Sequence, residues 1–125
     1  MNDIFQINLK SVTKSFEGLD VPVLKNLNFH IKASEKVAIV GSSGSGKSTL
    51  LHIIAGLDSP SEGKILFNNI DMNSLSDNNM AKLRNKHIGF IYQSHHLLND
   101  FSSIENVMMP LTVRRGDYLN DFNQA

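Results

Sequence analysis

The first third of the chain alternates apolar and polar residues with a period of two. Ile4-Phe5-Gln6-Ile7-Asn8-Leu9, continued by Val12 and its neighbours, predicts a half-buried antiparallel strand. Leu24, Leu27, Phe29 and Ile31 predict a second strand, and the Leu27-Phe29-Ile31 spacing sets its inward face. Residues 15–22 between them read as a loop carrying Phe16 and Gly18. The alternation then stops. Val37-Ala38-Ile39-Val40 is a continuous apolar run rich in β-branched residues, which suits a buried parallel strand. Residues 48–55 are apolar-rich, hold no breaker and end at Gly56, a good C′ residue, so they predict a helix.

Beyond a loop over residues 56–63, Lys64-Ile65-Leu66-Phe67 predicts a strand, closed by an Asn68-Asn69 turn and a short return at Ile70. Ser76 is a suitable N-cap for a helix towards His87, with Met80, Leu83 and His87 on one face. Ile88-Gly89-Phe90-Ile91-Tyr92 predicts another short buried strand, and residues 93–101 a polar loop. Ser102 and Glu105 have the spacing of a capping box. The helix it opens carries Ile104, Val107, Met108 and Leu111 at i, i+3, i+4 and i+7, and Pro110 is expected to interrupt it. The tail from Arg114 is polar apart from Tyr118, Leu119 and Phe122. The order of elements predicts an α/β fold with antiparallel strands ahead of the 37–40 strand.

Composition narrows the function classes. A chain of 125 residues with 41% hydrophobic content suits one domain or part of one. Basic and acidic residues number 12 each, so nothing points to nucleic acid or another polyanion as partner. Without cysteine there is neither a disulfide framework nor a Cys metal site. The N-terminus lacks the basic and apolar regions of a signal peptide. No apolar run approaches the roughly 18 residues of a membrane span. The expectation is a soluble, cytoplasmic chain that can still sit on a membrane protein.

The chemistry concentrates at Gly41-Ser42-Ser43-Gly44-Ser45-Gly46-Lys47-Ser48, which fits G-x-x-x-x-G-K-[ST] at every fixed position. A predicted strand precedes it and a predicted helix succeeds it, the context that motif requires. The glycines let the backbone turn without a Cβ in the way. Its N–H groups and the positive end of the helix then form a nest for phosphate oxygens. Lys47 is expected on the β/γ-phosphates and the Ser48 hydroxyl on Mg²⁺. Residues Gly41 to Ser48, with Thr49, are the expected ATP contacts.

With these residues in place the chain resembles the nucleotide-binding subunits of ABC transporters, from about Ile7 to Leu111. The fold this implies is a P-loop NTPase core with an N-terminal antiparallel β subdomain. The implied limits are 4–31 for the antiparallel part, 36–93 for the P-loop core and 94–125 for the start of a helical subdomain. Thr13-Lys14-Ser15-Phe16 followed by Val23-Leu24-Lys25-Asn26-Leu27 is similar to the family segment whose aromatic stacks on adenine, which implies that role for Phe16. Ile88 to Gln93 is similar to the strand leading to the Q-loop, which implies that Gln93 approaches Mg²⁺ and the attacking water. Ser94-His95-His96-Leu97-Leu98-Asn99-Asp100-Phe101 resembles the lipoprotein-releasing branch of the family. His95 and His96 lack a third ligand and read as surface facing a transmembrane subunit. The implied partners are transmembrane subunits and a second ATPase subunit, with no nucleic acid. The implied place is the cytoplasmic side of the inner membrane, and the implied work is ATP-driven lipoprotein release. A macrolide-export or cell-division type of ABC ATPase, or a non-catalytic or decayed nucleotide-binding fragment, are the alternatives.

The chain departs from the family beyond the Q-loop. It has no Ser-Gly-Gly signature and no apolar run ending in Asp-Glu, so the Walker B pair and the switch histidine are absent from these residues. No catalytic base is therefore assigned. The strands that would flank residues 37–40 are missing too, which predicts an exposed apolar edge and marginal folding. Positioning and charge stabilisation carry phosphoryl transfer, and here only part of the charge stabilisation is present. The 125 residues alone are expected to hydrolyse ATP far below about 1–100 s⁻¹, the range typical of kinases. A phosphate-release assay returning a rate in that range would contradict this.

Overall fold

The computed structural model describes residues 5–94 and 96–111, and the expectations for Ile4, His95 and the tail from residue 112 lie outside them. The chain divides into two units, Met1–Met80 and Ala81–Ala125. The first holds a four-stranded sheet of order β2-β1-β3-β4, with β1 Ile7–Lys14, β2 Leu24–Ile31, β3 Glu62–Phe67 and β4 Ile70–Asp71. Every pairing is antiparallel. Helix α1, Lys47–Ile54, belongs to the same unit. Its buried apolar residues Ile53 and Ile54, with Ala55, share the unit's interior with Leu9, Val12, Leu24, Ile65, Phe67 and Met72.

The sheet is not regular, and its irregularities stem from its sequence. Leu9 and Val12 are both buried, yet an odd spacing puts them on opposite faces of a regular strand. A bulge at Ser11, whose φ is 51°, inserts the extra residue that returns Val12 to the face of Leu9. Leu9 thus pairs with Phe29 and Val12 with Leu27. Buried Leu24 and half-buried Leu27 are likewise oddly spaced on β2, and Asn26 at φ 47° adds the extra residue between the pairs Val12–Leu27 and Lys14–Leu24. Asn26 donates its N–H to Thr13 Oγ1 at 3.1 Å, and Asn28 Oδ1 accepts from Ser11 N–H at 3.0 Å, so displaced backbone groups are satisfied by side chains. Asn68 and Asn69 both have positive φ, 49° and 68°, as a two-residue type I′ hairpin between β3 and β4 requires.

The strands predicted over residues 37–40 and 88–92 do not form. Residues 37–40 and 88–92 have no regular secondary structure. A strand exists only through ladder partners, and among the described residues none lies alongside either segment. Val40 is 88% exposed and Ile91 98% exposed, without a ladder neighbour among the described residues. β3 pairs with β1, so it belongs to the antiparallel sheet.

Ser76 Oγ accepts from Asn79 N–H at 3.4 Å ahead of α2, Asp77–His87. No residue of α2 is buried, and Met80, Leu83 and His87 are half-buried. The second unit continues to a helical stretch at 103–111. The capping box forms there: Ser102 N–H and Oγ both donate to Glu105 Oε2, at 2.8 and 2.6 Å. Those bonds hold the Glu105 carboxyl below its ordinary value. Pro110 does not interrupt this helix, which runs through it to residue 111. Ile104, Val107, Met108 and Leu111 are exposed. Among the described residues no helix is long and apolar enough to cross a membrane.

Gly63 faces the β1 bulge at φ 85°, and a Cβ there would collide with the carbonyl oxygens of Lys10 and Ser11. Gly18 has a similar φ of 81° but nothing within 4 Å of its Cβ position. Gly18→Ala should therefore cost about the 1–2 kcal/mol of left-handed strain alone. Gly63→Ala should cost clearly more, because backbone has to move. Urea unfolding checks this, and equal losses for the two variants would contradict the packing assigned to the bulge.

Candidate nucleotide-binding site

The phosphate loop leads from the 37–40 segment into α1, and the helix is fixed at both ends. At its C-terminus Leu57 N–H donates to His52 O at 2.8 Å and Gly56 N–H to Ile53 O at 3.0 Å, the paired bonds of a Schellman cap. Gly56 turns with φ 64°, a left-handed backbone that favours glycine, and its Cβ position abuts Met80 Sδ at 2.7 Å and Met72 Cε at 2.9 Å. At the N-terminus Gly46 is the N-cap, with φ 87°. Its Cβ position would stand 3.0 Å from side-chain carbons of Val23 and Leu24 and 3.1 Å from the Val23 carbonyl. The start of β2 therefore lies against the loop, and Val23 N–H is tied in turn to Lys14 O at 2.8 Å.

That N-terminus is prepared for an anion. Helix geometry leaves its first N–H groups without intrahelical acceptors. No side chain caps them, and no acidic residue stands in the first turn. Thr, Ser, Asp or Asn at the cap would fill the place with its own oxygen; Gly46 leaves it to a ligand. The loop is compact: Ser45 N–H donates to Ser42 O at 3.3 Å, and a Cβ on Gly41 would come 2.7 Å from Ser45 Oγ.

Lys47 folds over this loop. Its Nζ donates to Gly41 O at 3.0 Å and Ser42 O at 2.6 Å, with Ser45 Oγ at 3.4 Å. Those acceptors are neutral, and a phosphate oxygen offers the ammonium a stronger, charge-assisted bond at the same mouth. Ser48 is the second residue of α1 and exposed, a hard hydroxyl donor of the kind Mg²⁺ takes. Ser42, Ser43 and Gly44 are exposed and Thr49 half-buried. The residues present fit a magnesium-bound polyphosphate.

Phe16 opens a turn in which Leu19 N–H donates to Phe16 O at 3.2 Å, and the residue is 42% exposed. It comes soon after Lys14, and so sits in the same unit as the loop. Gln93 belongs to the second unit, where it is exposed in a bend. The Tyr92 ring beside it lies 4.4 Å from both the Phe90 and the His96 rings. His96 Nε2 lies 3.4 Å from Ser94 Oγ.

One pair at the site has no signature in the sequence. Lys14 Nζ donates to Asp58 Oδ1 at 2.7 Å, across 44 residues of chain. It also donates to Ser59 O at 2.7 Å and lies 5.0 Å from the centre of the Phe16 ring. No local spacing announces a contact of that range.

Comparison with known proteins bears on the same residues. The ABC transporter family pattern matches residues 24–125. The chain is 49% identical over 118 residues to the lipoprotein-releasing system ATP-binding protein LolD of Coxiella burnetii, covering 93% of this chain and 51% of that protein. It is 55% identical over 96 residues to LolD of Colwellia psychrerythraea, covering 77% and 37%. The chain thus spans about half the length, or less, of the curated relatives it matches. Among solved structures, the dimeric bacterial ABC transporter cassette MJ0796 superposes with a TM-score of 0.81 at 44% identity, over 86% of this chain and 47% of that one. The same cassette in a post-hydrolysis state bound to ADP and Pi gives 0.80 at 43% identity. With the phosphate loop, the antiparallel sheet and these matches in agreement, the chain belongs to the ABC transporter family.

Proposed function

We propose that this chain binds MgATP as the ATP-binding part of an ABC transporter that releases lipoproteins from the inner membrane. The observation that carries the binding is the N-terminus of α1, capped by Gly46 alone and overlain by the Lys47 ammonium. In this reading the N–H groups of Gly41 to Thr49 hold the phosphates and Lys47 leaves the loop carbonyls for the β/γ-phosphate oxygens. Phe16 lies against the base. Ser48 and Gln93 serve the metal side. Mg²⁺ supplies charge neutralisation across the β- and γ-phosphates when bound. The position of MJ0796 bound to ADP and Pi among the matching structures supports a nucleotide as the ligand. The names of the matched relatives support lipoprotein release as the process. Transmembrane subunits and a second ATPase subunit are the partners, and the chain sits peripherally on the cytoplasmic face of the inner membrane. Hydrolysis belongs to the complete transporter.

Calorimetric titration of the chain with ATP and Mg²⁺ tests the reading. Saturable binding is expected, weakened at least about tenfold by Lys47→Met, since a hydrogen bond to a charged group contributes about 1.5–3 kcal/mol. An absence of saturation, or an unchanged affinity in the variant, would overturn it. Co-expression with the membrane subunits of a lipoprotein-releasing transporter should carry the chain into the membrane fraction. A chain left wholly in the supernatant would remove that part of the proposal.

A further inference from the structure

The contacts of Lys14 reach beyond a surface ion pair. Its side chain is only 12% exposed, although it ends in a charge. An ammonium has three N–H donors. It gives hydrogen bonds to Asp58 Oδ1 and to Ser59 O, both at 2.7 Å, and stands over the Phe16 ring at 5.0 Å. Asp58 is fixed in turn, because Oδ1 also accepts from Ser59 N–H at 2.7 Å. The Asp58 carboxyl is held below its ordinary value of 3.8, chiefly by the bond from Lys14 and against the opposing effect of burial.

The rest of the junction is stapled as well. Ser61 N–H donates to Thr13 O at 2.9 Å, Ser15 N–H to Ser61 Oγ at 3.1 Å, and Ser61 Oγ to Ser15 O at 3.3 Å. The residues just before Phe16 are thereby bound to the segment that leaves α1. Asp58 stands directly after the Schellman cap of that helix, and its own N–H reaches His52 O at 3.4 Å. An exposed aromatic on a loop turns freely about χ1 unless something holds it. Here a cation occupies one side of the ring, where the ring quadrupole attracts it.

We propose that Lys14 is a positioning residue for the nucleotide base. It holds the Phe16 ring by one face and anchors it, through Asp58, to the C-terminal end of the helix whose N-terminus takes the phosphates. The ring surface that remains exposed is then set at a fixed place relative to the phosphate cradle. This rests on the reading of Phe16 as the base platform. It adds that the platform is built by Lys14 and Asp58 and not by Phe16 alone.

The two ends of the nucleotide separate the possibilities. The 125-residue chain and its variants are titrated with ATP and with inorganic tripolyphosphate, which has phosphates and no base. Lys14→Met is expected to weaken ATP about tenfold, within the 1–3 kcal/mol per base assigned to aromatic stacking. Tripolyphosphate affinity should stay within about twofold, since neither group touches the cradle. Lys14→Arg should recover most of the ATP affinity. Adding Lys14→Met to Phe16→Ala should weaken ATP no further than Phe16→Ala does. Should Lys14→Met fail to fold by circular dichroism, Asp58→Asn, an isosteric change, carries the same comparison with a smaller selective loss. Equal weakening of ATP and tripolyphosphate, or of neither, alongside a selective loss in Phe16→Ala, would overturn the role of Lys14 and leave the platform standing. A Phe16→Ala variant without selective loss would overturn both.

Discussion

The arrangement depends on a helix whose N-terminus its own sequence leaves uncapped. Four N–H groups at the start of any helix need acceptors, and most helices supply one from a Ser, Thr, Asp or Asn side chain. At α1 the cap is Gly46 and no side chain reaches back. The glycine is enforced from the other side too, because Val23 and Leu24 occupy the space a Cβ would need. One residue therefore meets two demands: a left-handed backbone and close contact with the antiparallel sheet. The donors it leaves open and the Lys47 ammonium make the same end of the helix positive.

The sheet matters to the site through where its strands end. Bulges at Ser11 and Asn26 keep Leu9, Val12, Leu24 and Leu27 on compatible faces despite odd spacings. They also let β1 and β2 reach their last pair, Lys14 with Leu24, beside the loop. From there Val23 packs on Gly46 and Lys14 turns to Asp58. Phosphate cradle and aromatic ring are thus attached to the two ends of one eight-residue helix.

What was legible in the sequence was what short stretches decide alone. The Ser102–Glu105 box, the stop at Gly56 and the Asn68-Asn69 hairpin form as expected, because each needs only residues within one turn of itself. The phosphate loop was legible because its chemistry fixes residue types at fixed spacing. Residues 37–40 and 88–92 have strand-like composition, but a strand also needs a neighbour, and composition does not provide one. Pro110 reads as a break from its chemistry, whereas the described helix extends one residue past it. The bulges are implicit in the odd spacing of buried residues but need a partner strand to be located. The Lys14–Asp58 bond, spanning 44 residues, has no local trace at all.

In the proposed reading the backbone N–H groups of Gly44 to Thr49 are the chief donors among those of Gly41 to Thr49 at the anion site. Amide proton and nitrogen chemical shifts of the ¹⁵N-labelled chain, tracked as ADP and Mg²⁺ are added, test it residue by residue. The expected result is that the largest shifts fall on Gly44 to Thr49 and saturate together. Small shifts there, or shifts spread evenly along the chain, would contradict it.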